Sequence, residues 1–235
     1  MIIERRAGER GAADFGWLRS RHTFSFGQYH DPAWMGFGPL RVINDDSVAA
    51  GGGFAPHRHA NMEIISVVLE GALAHKDSSG NAGVIRAGDV QWMSAGHGIE
   101  HSEFNHSDAQ PVHFLQLWIQ PDQLNAEPAY RQRHFDPAER RGRWVVLASP
   151  EGEEDSLPIR QQAWLRASRL QPGDALGVAL DPARRHWLHV ATGEVRLGER
   201  VLQAGDALGF VDQAGTIDLL GLAATSDVLL FDLPA

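Results

Sequence analysis

The chain has 235 residues, no cysteine and a formal net charge of −9. Lack of cysteine excludes disulfides, thiolate metal sites and a cysteine nucleophile, and the acidic balance argues against sequence-independent binding to nucleic acid, which needs cationic surface. No apolar run approaches the ~18 residues of a membrane helix, and Met1-Ile2-Ile3-Glu4-Arg5-Arg6 has no hydrophobic stretch after its charges, so neither a span nor a secretory signal is expected and a cytoplasmic location fits.

The length allows one large or two small domains, and 25 glycines suit a β-rich chain with many turns. The aromatic-rich stretch Arg21–Asp46 comes first and offers Phe24, Phe26, Trp34, Met35 and Phe37 as walls of an apolar pocket or as core cover. From Gly51 to Asn105 two histidine pairings follow: Pro56-His57-Arg58-His59, with Glu63 four residues on, and His101-Ser102-Glu103. Side chains two apart on a strand share a face, so His57 pairs with His59 and His101 with Glu103. If those strands oppose each other, three imidazoles and a carboxylate converge. That donor set suits one divalent transition metal (Fe, Ni, Co, Cu, Mn or Zn) with room for a ligand. Between the pairings, Asp77-Ser78-Ser79-Gly80-Asn81 reads as a turn between the apolar runs 64–69 and 84–85. Trp92 and Trp118 sit in strand patterns and read as core. His75 reads as a hydrogen-bonded turn residue, and His22, His30, His97, His106 and His113 as structural. Residues 112–119 alternate with period two and form a further strand.

The stretch 126–157 is rich in Glu, Arg and Pro and reads as a linker. Its Arg131, Arg133, Arg140, Arg141 and Arg143 read as a solvated cluster balancing nearby acids. The remainder then echoes the first half. Val190-Ala191-Thr192-Gly193 parallels Val68-Leu69-Glu70-Gly71, and Ala204-Gly205-Asp206 parallels Ala87-Gly88-Asp89. Counting from those glycines puts Ala179, Asp181, Arg185, Asp218 and Leu220 where the first half has its histidines and glutamates, so no second metal site is expected. His186 and His189, three apart, do not share a strand face.

Gly51, His57, His59, Glu63 and Gly71 resemble the first cupin motif, and Gly88, Gly96, Gly98, His101 and Asn105 the second, with glycine for the usual proline at 96 and two extra residues after Gly88. Arg21–Asp46, Pro-His-Arg-His, His75-Lys76-Asp77-Ser78-Ser79-Gly80 and Gly88–Gly96 resemble the pirin family, strongly over roughly the first 120 residues. The resemblance implies an all-β bicupin: two stacked antiparallel β-barrels of jelly-roll type with short helices. The expected division is 1–125 for the metal-binding barrel, 126–157 for the linker and 158–235 for a barrel lacking ligands. It implies metal ligands His57, His59, His101 and Glu103, leaves Glu63 outside the set, and makes Glu103 the catalytic base. The implied activity is that of bacterial quercetin 2,3-dioxygenases, with a polyphenol and O2 as partners and release of carbon monoxide. The alternatives are a redox-sensing regulatory protein that binds a protein partner, or another cupin dioxygenase or isomerase.

Overall fold

A computed structural model describes residues 1–235. The chain is almost wholly β; its helical residues are two single turns, Ala7–Glu9 and Glu153–Asp155. No helix is long and apolar enough to cross a membrane. Two compact units emerge, and neither is contiguous. One comprises Gly11–Phe135 with Leu157–Gln161; the other comprises Met1–Arg10, Asp136–Ser156 and Gln162–Ala235.

The first unit pairs two antiparallel sheets. A four-stranded sheet runs in the order Gly53–His59, Ile99–Asn105, Ala72–Asp77, Ala82–Arg86. A seven-stranded sheet runs Ala129–His134, Asp89–Ser94, Glu63–Glu70, Val112–Ile119, Leu40–Val48, Leu18–His22, Gly11–Asp14. Leu73 and Ile85 of the first meet Leu18, Val48, Val68, Val112 and Phe114 of the second in one buried cluster. Each such side chain contributes on the order of 1.5–3 kcal/mol relative to exposure, so this apolar end holds the sheets together. The other end is different. The register aligns Gln91, Ser66, Gln116, Asn44 and His22 as direct neighbours on five consecutive strands, and all five are buried. A row of buried polar groups persists only when its members are hydrogen-bonded, and this row supports the site described below.

The predicted turn holds: Asp77 Oδ1 accepts from the backbone N–H of Ser79 at 2.9 Å and of Asn81 at 3.0 Å. The expected linker is not loop throughout. Ala129–His134 pairs with Asp89–Ser94, and Val145–Ser149 pairs with Trp164–Leu170. The arginine cluster is correspondingly divided: Arg131 and Arg133 are exposed on a strand, Arg140 is buried, and Arg141 meets Asp174 at 3.2 Å.

The second unit contains a sheet ordered Ile2–Arg5, Ala207–Phe210, Arg184–Thr192, Ser226–Pro234, Trp164–Leu170, Val145–Ser149, and another ordered Ala175–Leu180, Gly215–Gly221, Glu194–Leu197, Arg200–Gln203. Val178, Leu188, Val190, Leu208, Phe210, Leu219 and Leu230 fill its interior. The sequence echo is also an echo of bonds. Asp89 accepts from the Arg86 N–H at 2.8 Å, as Asp206 accepts from the Gln203 N–H at 3.0 Å. The Ala87 N–H reaches Gly71 O at 3.3 Å, and the Ala204 N–H reaches Gly193 O at 2.9 Å. Gly71 and Gly193 have φ of 80° and 78°, a left-handed conformation that a side chain would strain. Of the positions counted onto the first-half ligands, Ala179, Asp181 and Asp218 are exposed.

Candidate metal centre

Strands Gly53–His59 and Ile99–Asn105 run antiparallel with His57 directly opposite His101. The register then slips: Glu103 lies opposite Phe54, so Ser102 faces the extra residues of a β-bulge at Ala55 and Pro56. Proline has no N–H for the ladder and belongs at such a break. The bulge turns Phe54 toward the histidines, its ring centroid 6.4 Å from that of His57. The three imidazoles form a triangle, with centroids 4.4 Å apart for His57–His101, 4.8 Å for His57–His59 and 4.9 Å for His59–His101. Their ligand atoms lie within 4.8 Å of one another, and so do those of His75, His101 and Glu103.

His101 and Glu103 are buried, whereas His57 and His59 are half-buried and line a cavity of about 1010 Å³. Phe15, Trp17, Phe26, Tyr29, Phe54 and Trp118 supply its aromatic walls. Trp118 stands edge-on to His59 at 4.9 Å and to Phe26 at 5.3 Å. At the base, Gln116 Nε2 donates to Glu103 Oε2 at 2.8 Å, and the Ser66 hydroxyl lies 2.8 Å from Gln116 Oε1 and 3.4 Å from Glu103 Oε1. The polar row of the sheet thus fixes the carboxylate.

Electrostatics set each group's charge. Burial, with His57, His59 and His75 nearby, pushes the His101 pKa down to about 2, and burial with His57 pushes His59 down to about 4. Both rings are therefore neutral at pH 7 and offer lone pairs. Burial raises Glu103 to about 7, with Asp46 adding to the rise and Ser66 and Gln116 opposing it. His57 Nδ1 lies 2.8 Å from Ala55 O; a carbonyl only accepts, so Nδ1 carries a hydrogen, which leaves Nε2 as the lone-pair nitrogen of the neutral ring. His101 Nε2 is buried with no hydrogen-bond partner. Neutral imidazoles, an orphaned ring nitrogen and a carboxylate whose charge is disfavoured by burial all gain from a divalent cation. The donor set fits one.

Glu63 lies apart from this cluster and is fully used. Its carboxylate accepts from Trp92 Nε1 at 2.8 Å, Ser94 Oγ at 2.5 Å and the Arg160 N–H at 3.1 Å. Glu63→Ala is expected to leave metal stoichiometry unchanged while removing about 2–4 kcal/mol of stability, because two buried donors and one partly buried donor lose their acceptor; urea unfolding beside metal analysis checks both.

Trp92 is core, as expected, but Trp118 is a cavity wall as well as a packing residue. Of the five expected wall residues only Phe26 lines the cavity; Phe24 and Phe37 are buried core, and Trp34 and Met35 lie elsewhere. The walls Phe15, Trp17, Tyr29 and Phe54 were missed. Phe54 had a signal: it sits three residues before His57 and two before a proline inside a strand. His75 is not in the turn but buried on the strand Ala72–Asp77. His22, His97 and His113 bond to Asn44 (2.8 Å), Glu127 (3.3 Å) and Asp45 (2.7 Å). Gly96 has φ of 50°, and a Cβ there would stand 2.1 Å from Ala126 O. Proline, confined to φ near −65°, cannot replace it.

The Pirin family model matches residues 4–119, and a model described as the quercetinase C-terminal cupin domain matches residues 146–233. The chain is 43% identical over 236 residues to quercetin 2,3-dioxygenase of Escherichia coli strain K12, covering 100% of this chain and 99% of that protein. The chain belongs to the pirin family. A pirin-like protein of Caulobacter vibrioides is 41% identical over 215 residues, 91% of this pirin and 92% of the relative. The crystal structure of bacterial pirin YhhW from Escherichia coli in complex with nickel(II) aligns with a TM-score of 0.93 at 41% identity, covering 100% of this pirin and 99% of that chain.

Proposed function

We propose that this pirin is a metal-dependent dioxygenase that opens the heterocycle of a flavonol such as quercetin with O2 and releases carbon monoxide. The observation that carries the reading is the triangle of His57, His59 and His101, with the buried Glu103 carboxylate within 4.8 Å of His101 and with His57, His59 and Glu103 lining a cavity that has aromatic walls. The naming of full-length relatives as quercetin 2,3-dioxygenases supports it, as does the nickel(II) complex of YhhW. In this reading each unit is a cupin barrel, and only the first carries ligands: His57, His59, His101 and Glu103. Fe, Ni, Co, Cu, Mn and Zn all accept such donors. When bound, the metal supplies open positions for a bidentate oxygen ligand and O2 chemistry.

The chain's own residues do the rest. Flat aromatic side chains, Phe54 and Trp118 among them, suit a planar polyphenol and exclude water. Glu103 takes the proton of the flavonol 3-hydroxyl. Without metal, burial raises its proton affinity; a bound cation would oppose that rise and keep the carboxylate ionised, ready to accept a proton. Gln116 and Ser66 keep its two oxygens in place.

Protein reconstituted separately with each metal is expected to remove the quercetin absorbance aerobically and release carbon monoxide with at least one of them. Glu103→Ala should lower that rate by about 10²–10⁴-fold, the usual contribution of a positioned base. No turnover at full occupancy with every metal would overturn the reading.

A further inference from the structure

His75 touches the centre yet lies outside the proposed ligand set. It sits on Ala72–Asp77 opposite Glu103, its side chain wholly buried and its ring 5.3 Å from that of His101. Three contacts assign its hydrogen. His75 Nε2 lies 3.2 Å from Asp77 Oδ2. A carboxylate only accepts, so Nε2 carries the hydrogen, and in a neutral imidazole Nδ1 is then a bare acceptor. Gln91 Nε2 donates toward that nitrogen at 3.5 Å. His101 Nδ1 lies 3.4 Å from it. Two ring nitrogens pair only when one of them bears hydrogen, so His101 carries its own on Nδ1 and leaves Nε2 bare. That Nε2 is the buried nitrogen without a partner.

The anchor at the other end is held as well. Asn81 Nδ2 donates to Asp77 Oδ1 and Oδ2 at 3.2 and 3.0 Å. The Tyr130 ring stacks on His75 at 4.8 Å with 21° between planes. We propose that His75, oriented by Asp77, is a positioning residue that locks His101 in the Nδ1–H tautomer and so aims its bare Nε2 at a divalent metal beside His57 and His59. This rests on the metal centre of the proposed function but not on its substrate. The competing role, His75 as a ligand in the His75–His101–Glu103 cluster, would turn His101 Nδ1 to the metal and leave a protonated Nε2 buried without an acceptor, a costly arrangement.

The test uses the full chain with His75→Gln and His75→Phe. Asp77 is left alone because it also holds the turn. Glutamine offers both an acceptor and a donor; phenylalanine offers neither. In ¹⁵N-histidine NMR of the metal-free protein, His101 is expected as the Nδ1–H tautomer in wild type. Ni(II) affinity by chelator competition is expected to fall about 10–100-fold in His75→Phe, the usual effect of losing a partner to a ligand, and to stay within about threefold of wild type in His75→Gln. Several results would overturn the proposal. They are an Nε2–H tautomer in wild type, undiminished affinity in His75→Phe, or a His75→Gln variant as weak as His75→Phe, which would make His75 a ligand. Failure of the wild-type protein to bind Ni(II) would remove the centre itself, whereas tight wild-type binding with an indifferent His75→Phe removes the relay alone.

Discussion

Replacing His101 with alanine is expected to empty the metal centre while the protein stays folded. His101 faces His57 across the ladder and completes the triangle, so its loss leaves two half-buried imidazoles and a carboxylate behind a void. Affinity should fall by well over the ~100-fold that losing an outer partner costs. The apolar cluster of Leu73, Ile85, Val112 and Phe114 does not include His101, so the stability cost should be only about 1–2 kcal/mol. Metal content after dialysis against a chelator, read beside a thermal melt, checks both. Full metal retention would sink the ligand assignment.

Glu103→Gln should act in opposite directions with and without metal. Without metal, burial raises the Glu103 pKa from 4.5 to about 7, so folding favours the protonated form. The stability this gives is fully present below pH 4.5 and is lost as pH rises through 7. Glutamine mimics the protonated state. The metal-free variant should therefore match wild type at pH 4 and be more stable at pH 8, by on the order of 3 kcal/mol at about 1.4 kcal/mol per pKa unit. With metal bound, the cation favours the carboxylate, and the variant should lose affinity and turnover. Urea unfolding of the metal-free proteins across pH 4–8 tests the first half. Equal stability at pH 8 would mean that Glu103 is not ionised against its burial.

What could be read from the sequence was local. The parity of His57 with His59 and of His101 with Glu103, the Asp77–Asn81 turn and the paired Gly-Asp hairpins depend on neighbouring residues alone. What was missed depends on register or on distant segments. The polar row Gln91–Ser66–Gln116–Asn44–His22 exists only once five strands are aligned, and each member alone looks like an ordinary polar residue. Ala129–His134 escaped notice because it is an edge strand with mostly exposed side chains, which removes the apolar alternation that marks a strand. The aromatic cavity walls come from four separate segments, so no window of sequence contains them. His75 was placed in the turn because Asp77 and Gly80 are so near, although the strand runs on through Asp77.

The exchange of segments between the two units bears on how the protein is made. Ile2–Arg5 leaves the ribosome well before the strand it pairs with, Ala207–Phe210. At roughly 5–20 residues per second, that first strand waits on the order of ten seconds or more without its partner. Its counterpart, Leu157–Gln161, brings the Arg160 N–H to Glu63 only after the intervening segment Asp136–Ser156 of the other unit has been made. A nascent chain that has reached residue 135 therefore presents an unpaired Ile2–Arg5 strand and a glutamate short of one donor, and the strand stays unpaired until Ala207–Phe210 emerges.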